Sequence, residues 1–108
     1  MSWCLWLVLL VAPIESATFS IYPSVALAPL DTLRLTARIP VREDNRRFCV
    51  AAWLEGVLTR RSCEPLDDEA ITHVVEWRDL REPGEYTVTL DIYRVGGSER
   101  LTRRLDLR

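Results

Sequence analysis

Lysine is absent from this sequence, and all of its 14 basic residues are arginines, set against 16 acidic residues. Nucleic-acid-binding domains normally carry an excess of basic residues. The near-neutral balance therefore argues against nucleic acid as a partner. The one asparagine, Asn45, is followed by two arginines, so the sequence also lacks a site for N-linked glycosylation.

Motifs that carry enzymatic chemistry are missing as well. His73 is the only histidine, and no nucleophile elbow or comparable motif accompanies it. Its spacing from Ile71 and Val75 favours a place in the core or at a strand end. The acidic run at 67–69 lacks the pattern of a calcium loop, and the glycines at 95–98 lack the lysine and helix of a phosphate-binding loop. We therefore expect no catalytic site, no metal and no cofactor.

A helical pattern is absent too, because no window of about 11 residues repeats apolar residues with the period of a helix. Apolar and polar residues alternate instead, with the period of a strand, over residues 32–39, 71–77, 86–93 and 101–107. Turn-forming stretches separate these segments at 28–31, 40–47, 64–69, 81–85 and 95–98. Short strands at this spacing predict an all-β fold, an antiparallel β-sandwich of about seven strands in one domain.

The start of the chain has a different character. It is apolar over residues 3–12, breaks at Pro13 and ends in small residues. This layout predicts a cleaved secretory signal peptide at 1–17 and a mature domain at 18–108. The apolar run is shorter than the roughly 20 residues of a membrane-spanning helix. A buried N-terminal strand or helix and an uncleaved anchor are the alternatives. We expect a secreted or periplasmic protein with no other membrane segment.

Two cysteines, Cys49 and Cys63, remain in the mature domain, in one hairpin-like stretch. A two-residue turn at 55–56 would leave them one residue out of register, whereas a three-residue loop at 55–57 sets them directly opposite each other. In an oxidising compartment two such cysteines most simply pair. We therefore predict a Cys49–Cys63 disulfide closed by a three-residue loop. Free buried thiols are the alternative, since the spacing fits neither a redox pair nor a metal site.

The segment PGEYTVTL, at 83–90, resembles the turn and sixth strand of bacterial extracellular immunoglobulin-like and fibronectin-III-like domains. The resemblance implies that Tyr86 forms a tyrosine corner and that Trp53, on the third strand, is the buried core tryptophan. The cysteines depart from the antibody pattern, in which the disulfide joins the second and sixth strands. Such sandwiches serve many functions, so the resemblance predicts a fold and no activity.

Arginines are the first candidates for a binding function. In a sandwich of this kind the third, fourth, sixth and seventh strands share one sheet. Five arginines could then gather on its outer face and bind carboxylate or phosphate groups: Arg60, Arg61, Arg94, Arg103 and Arg104. The alternative is that they pair across strands with the nearby acidic residues Asp91, Glu99 and Asp106.

Aromatic residues are the second candidates. The strand at 48–54 is apolar on both faces, so either both faces are covered or Trp53 and Tyr93 form an exposed platform. Trp77 is expected to be structural, although it is a further candidate for stacking on a sugar. We predict a non-catalytic module that binds another macromolecule, with a protein as the expected partner. A carbohydrate-binding module and a small secreted inhibitor are the alternatives.

Overall fold

A computed structural model describes residues 16–67 and 69–108 of the chain. Within these residues the fold is all-β, as predicted. The strands are β1 (Thr18–Tyr22), β2 (Val25–Ala26), β3 (Leu30–Arg38), β4 (Asn45–Leu54), β5 (Val57–Pro65), β6 (Thr72–Leu80), β7 (Gly84–Arg94) and β8 (Gly97–Leu107). In this part of the chain no helix is long and apolar enough to cross a membrane.

The strands form a sandwich of two sheets. One sheet has the strand order β1-β3-β6, and the other has the order β2-β8-β7-β4-β5. Neighbouring strands run antiparallel, except that β2 pairs parallel with β8. The strands predicted as the third, fourth, sixth and seventh are β4, β5, β7 and β8 in the structure. They share one sheet, as predicted. The alternating segments identified from the sequence did not include β1 or β2, and a strand of two residues such as β2 shows no alternation.

The core lies between the sheets and consists of alternate residues of the long strands. On β3 and just beyond it, the buried residues are the ones predicted from the period of two: Leu33, Leu35, Ala37 and Ile39. The five-stranded sheet supplies the opposite side of the core through Phe48, Val50, Ala52, Tyr86, Val88, Leu90, Ile92, Leu105 and Leu107. The even-numbered residues of β4 therefore face the core, and its odd-numbered residues face away from it.

The β4–β5 hairpin confirms the disulfide and corrects the predicted loop. Cys49 and Cys63 are bonded and lie directly opposite each other, with their Cα atoms 4.0 Å apart. The turn, however, has two residues, Glu55 and Gly56, both with positive φ angles (52° and 78°). Positive φ at both positions is typical of the tight hairpin turn whose twist matches the strands. The predicted three-residue loop is therefore wrong.

A bulge reconciles the short turn with the cysteine register. Trp53 pairs with Leu58, but Ala52 pairs with Arg60, so Thr59 is the extra residue on β5. The hydroxyl of Thr59 donates a hydrogen bond of 2.9 Å to the carbonyl oxygen of Ala52. The bulge supplies the one residue that the prediction had assigned to the loop.

Tyr86 holds the turn between β6 and β7. Its hydroxyl donates a hydrogen bond to the carbonyl oxygen of Glu82, four residues upstream. This is the contact that defines a tyrosine corner. Burial of the ring, together with the negative charge of Glu82, raises the pKa of the Tyr86 hydroxyl. The hydroxyl therefore keeps its proton, and with it the hydrogen bond, at neutral pH.

The predicted signal peptide at 1–17 lies almost entirely outside the described residues, so its cleavage stays a prediction. Ser16 and Ala17 are described. Ala17 is buried and packs against the core immediately before β1.

Gly84 offers a test of the packing beside the tyrosine corner. Its φ angle is 151°, and a Cβ atom there would lie 2.6 Å from Cδ1 of Leu54. Gly84→Ala should lower the free energy of unfolding by about 1–3 kcal/mol, because it combines overpacking with backbone strain. Chemical denaturation measures the change. Gly96→Ala is the matched control, since a Cβ at Gly96 meets nothing within 4 Å. Equal stability of the two variants would contradict this packing.

The disulfide should contribute a large share of the stability. Cys49 and Cys63 are 14 residues apart in sequence. The loop-closure model assigns about 3 kcal/mol to a bridge of this size. The double variant Cys49→Ala/Cys63→Ala should therefore melt well below the oxidised parent, with the same strand signal in circular dichroism at low temperature. Adding reductant should lower the melting temperature of the parent and leave that of the variant unchanged.

Candidate binding surface

The solvent-facing side of the five-stranded sheet carries most of the predicted binding residues. We call this side the outer face. It comprises the residues that alternate with the core positions: Leu58, Arg61 and Cys63 on β5; Arg47, Cys49, Ala51 and Trp53 on β4; Thr87, Thr89, Asp91 and Tyr93 on β7; and Ser98, Arg100, Thr102 and Arg104 on β8. Because β4 and β7 are central strands, their residues form the middle of this face.

Trp53 lies on the outer face and not in the core. It is half-buried, and its indole N–H donates a hydrogen bond of 3.3 Å to the hydroxyl of Thr89. The ring thus leans along the sheet toward Ala51 and Thr89, which are both 3% exposed although they lie outside the core. The core role that the resemblance implied for Trp53 is wrong. Both faces of β4 are apolar, so the period of two could not show which face was inside.

Of the two tryptophans within the described residues, Trp77 is the buried one. Its side chain is 4% exposed and belongs to the core, and its indole N–H donates a hydrogen bond of 3.0 Å to the hydroxyl of Ser62. This contact ties β6 of one sheet to β5 of the other. Trp77 therefore cannot stack on a sugar in the native fold.

Tyr93 lies at the far end of the outer face from Trp53. It pairs with Arg47, which is six residues before Trp53 on β4. At the rise of a strand that separation is about 20 Å. The guanidinium of Arg47 also lies over the Tyr93 ring, with Cζ 4.9 Å from its centroid. Trp53 and Tyr93 therefore do not form one continuous aromatic platform.

The five candidate arginines do not gather at one place. Arg61 and Arg104 lie on the outer face, and the structure shows no ion pair for either within the described residues. Arg60 is on the opposite side of the sheet, where it donates a hydrogen bond of 2.7 Å to the carbonyl oxygen of Arg78. Arg94 and Arg103 are on that opposite side as well, since each lies next to an outer-face residue of its strand. The five arginines therefore do not share one face, because adjacent residues of a strand point to opposite faces.

Cross-strand pairing, the alternative expectation, accounts for several charges. Arg94 forms an ion pair of 2.9 Å with Glu99 and also donates to the side-chain oxygen of Asn45. Asp91 is paired with Arg100 at 2.6 Å. Arg103, at the exposed edge of β8, donates to the carbonyl oxygen of Thr102.

Leu58 lies beside Trp53, and two arginines share the outer face with it. Leu58 is directly opposite Trp53 on β5 and is 44% exposed. Arg61 lies opposite Ala51, the next outer-face position along β4, and its Nη2 is 3.6 Å from Sγ of Cys49. Arg104 is in the same cross-strand row as Trp53, on the far side of Thr87. At the spacing of neighbouring strands it lies about 10 Å from Trp53. We call Trp53, Leu58, Arg61, Thr87 and Arg104 the Trp53 patch.

Sequence reasoning missed Leu58 as part of this surface. Its place beside Trp53 follows from the two-residue turn, and the predicted three-residue loop would have put Thr59 there. The Glu-Gly pair at the turn was the available signal, since glycine readily adopts positive φ. The compensating bulge at Thr59 has no comparable signature in the sequence.

The arrangement of titratable groups does not suggest proton-transfer chemistry at His73. The imidazole packs against the ring of Phe48, with centroids 5.0 Å apart. Its Nε2 atom is buried and has no hydrogen-bond partner within the described residues. No group of three or more histidine, cysteine or acidic side chains in the described part of the chain could hold a metal ion.

Comparison with known proteins adds support for the fold. No family model and no curated protein matches the sequence. Among solved structures, the chain is similar to an engineered protein whose crystal structure was determined by the Northeast Structural Genomics Consortium, with a TM-score of 0.56 and 18% identity. The match covers 86% of this chain and 20% of the engineered one, so the chain spans about a fifth of that protein's length. At this identity the likeness shows the fold alone.

Proposed function

We propose that this chain is a secreted or periplasmic, non-catalytic immunoglobulin-like module that binds another protein through the Trp53 patch. The observation that carries the proposal is the position of Trp53, a large aromatic side chain that lies outside the core and beside Leu58. Arg61 and Arg104, which have no carboxylate partners in the described chain, are on the same face. Tryptophan and arginine are the residues most enriched at the centres of protein interfaces. Arg61 and Arg104 suit a partner that offers carboxylates beside an apolar contact.

The strand order supports an immunoglobulin-like or fibronectin-III-like module. With β1, β3 and β6 taken as strands A, B and E, the second sheet contains G, F, C and C′ in the order β8-β7-β4-β5. A C′ strand beside C, in the sheet that also holds F and G, occurs in immunoglobulin variable-type sandwiches. The hydrogen bond from Tyr86 to Glu82 adds the tyrosine corner. The disulfide within the C–C′ hairpin departs from the antibody pattern.

The secreted or periplasmic location rests on the disulfide and on the predicted signal peptide. Disulfides persist in oxidising compartments and are rare in the cytosol. Cys49 is buried, whereas Cys63 is exposed, so a reducing environment would have access to one side of the bridge. The bridge and the apolar N-terminal segment thus point to the same compartment.

A protein partner fits the outer face better than a polysaccharide. Sugar-binding platforms use aromatic rings spaced to stack on successive sugar units, whereas Trp53 and Tyr93 are at opposite ends of the face. The Arg47 guanidinium already occupies one face of the Tyr93 ring. The proposed partner therefore inserts an apolar group against Trp53 and Leu58 and pairs its carboxylates with Arg61 and Arg104.

Site-specific photo-crosslinking tests this function. A photo-reactive amino acid at Leu58 should crosslink one protein from the envelope or medium of the source cells. The same amino acid at Val74, which is 53% exposed on the other sheet, should not. Adding Trp53→Ala should reduce the Leu58 adduct about tenfold or more, as expected for loss of a central aromatic contact. Arg34→Ala, on the outer face of the other sheet, is the control.

Two results would contradict the proposal. One is equal crosslinking from Leu58 and Val74, and the other is an adduct that Trp53→Ala does not reduce. A change in Trp53 fluorescence with oligosaccharides, in the absence of any protein adduct, would favour the carbohydrate-binding alternative.

A further inference from the structure

The β8 strand has a free edge along most of its length. It pairs with β7 from Gly97 to Leu107, whereas β2 covers its other side only at Asp106 and Leu107. In the described part of the chain, no strand pairs with the remaining segment at 98–104. An edge of this length without a hydrogen-bonded neighbour is able to pair with another strand.

Hydrogen bonds at the covered end show which backbone groups point outward. The N–H groups of Asp106 and Arg108 donate to carbonyl oxygens of the β2 segment, those of Ser24 and Ala26. Because the direction of backbone groups alternates along a strand, even-numbered residues direct their N–H and C=O groups away from β7. The outward groups of the free segment therefore belong to Ser98, Arg100, Thr102 and Arg104. The Thr102 carbonyl oxygen accepts a hydrogen bond of 2.8 Å from the guanidinium of Arg103. This side chain takes the place of the N–H donor that a neighbouring strand would supply.

The charges on this edge exclude most ways in which two β8 strands could pair. Antiparallel pairing must match outward-pointing residues with one another, so even-numbered residues pair with even-numbered residues. A pair centred on Glu99, Arg100 or Arg103 sets that residue opposite itself in the second copy. A pair centred on Thr102 sets Arg100 opposite Arg104. Like charges directly opposite each other destabilise a sheet.

Among the registers centred on residues 99–103, the one centred on Leu101 avoids every such conflict. When the pair is centred on Leu101, Glu99 lies opposite Arg103 of the second copy, and by symmetry Arg103 lies opposite the second Glu99. Leu101 meets its own counterpart between these two ion pairs, while Ser98 lies opposite Arg104. The edge is thus self-complementary in charge in this register.

We propose that two copies of this chain associate through antiparallel pairing of their β8 edges, centred on Leu101. The occupant is a second copy because the acidic and basic residues of one edge match those of an identical edge in reverse. The ion pair between Arg94 and Glu99 leaves the Glu99 side chain 40% exposed, so its carboxylate can accept a second guanidinium. Arg103 is exposed and has no carboxylate partner within the described residues.

Charge exchange tests this dimer. Sedimentation equilibrium of the exported, oxidised protein should show a mass that rises with concentration toward twice that of the monomer. Arg103→Glu and Glu99→Arg should each raise the dissociation constant about tenfold or more, because each variant sets like charges opposite each other at two positions. An equimolar mixture of the two variants should regain the dimer, because each edge then meets its complement.

A second variant covers the possibility that Glu99→Arg fails to fold, since it also removes the partner of Arg94. Thr102→Pro removes an outward N–H group that bonds no strand of the described chain, and proline is tolerated on edge strands. It should abolish the dimer and leave the thermal stability of the monomer nearly unchanged. A parent that stays monomeric at all concentrations overturns the proposal. So does a dimer that is insensitive to Thr102→Pro, or a mixture of charge variants that stays monomeric.

Discussion

The register of β4 between its two neighbours is the constraint on which the surfaces of this protein depend. β4 is apolar on both faces, so alternation alone does not decide which set of residues is inside. Pairing with β7 buries Phe48, Val50 and Ala52 against the other sheet. The disulfide then locks β5 to β4 at the opposite edge. A slip of one residue would exchange the two faces, bury Trp53 and expose the core positions.

The two proposed contacts lie on the same sheet and share only Arg104, whose backbone belongs to the β8 edge and whose side chain belongs to the outer face. The Trp53 patch is on the outer face, whereas the dimer contact is on the β8 edge, two strands away from β4. Antiparallel pairing centred on Leu101 relates the copies by a two-fold axis perpendicular to the sheet, so both outer faces lie on the same side. A dimer would therefore present two Trp53 patches to one surface. A partner with repeated sites would bind both patches at once, and so more tightly than it binds a monomer.

The sequence predicted correctly the features that depend on local alternation of apolar and polar residues, or on the requirement that the two cysteines lie opposite each other. Leu33, Leu35, Ala37 and Ile39 alternate with polar residues, and all four are buried. The cysteines had to lie opposite each other to bond, so their register was predictable even though the predicted loop was wrong. The bulge at Thr59 was not predictable, because no residue type marks it and a longer loop would satisfy the same cysteine pairing. Adjacent arginines had to point to opposite faces, but which of them lies on the outer face depended on which face of β4 is buried, so that too required the structure.

The central claim is that Trp53 lies beside Leu58 on the solvent side of β4, in the register locked by Cys49 and Cys63. Nuclear Overhauser effects from the Trp53 indole protons in the oxidised protein test it most directly. The structure predicts effects to the methyl groups of Leu58 and Thr89. Effects to the core residues Val88 and Leu90 in their place would show that β4 presents its other face to solvent, and would contradict this account.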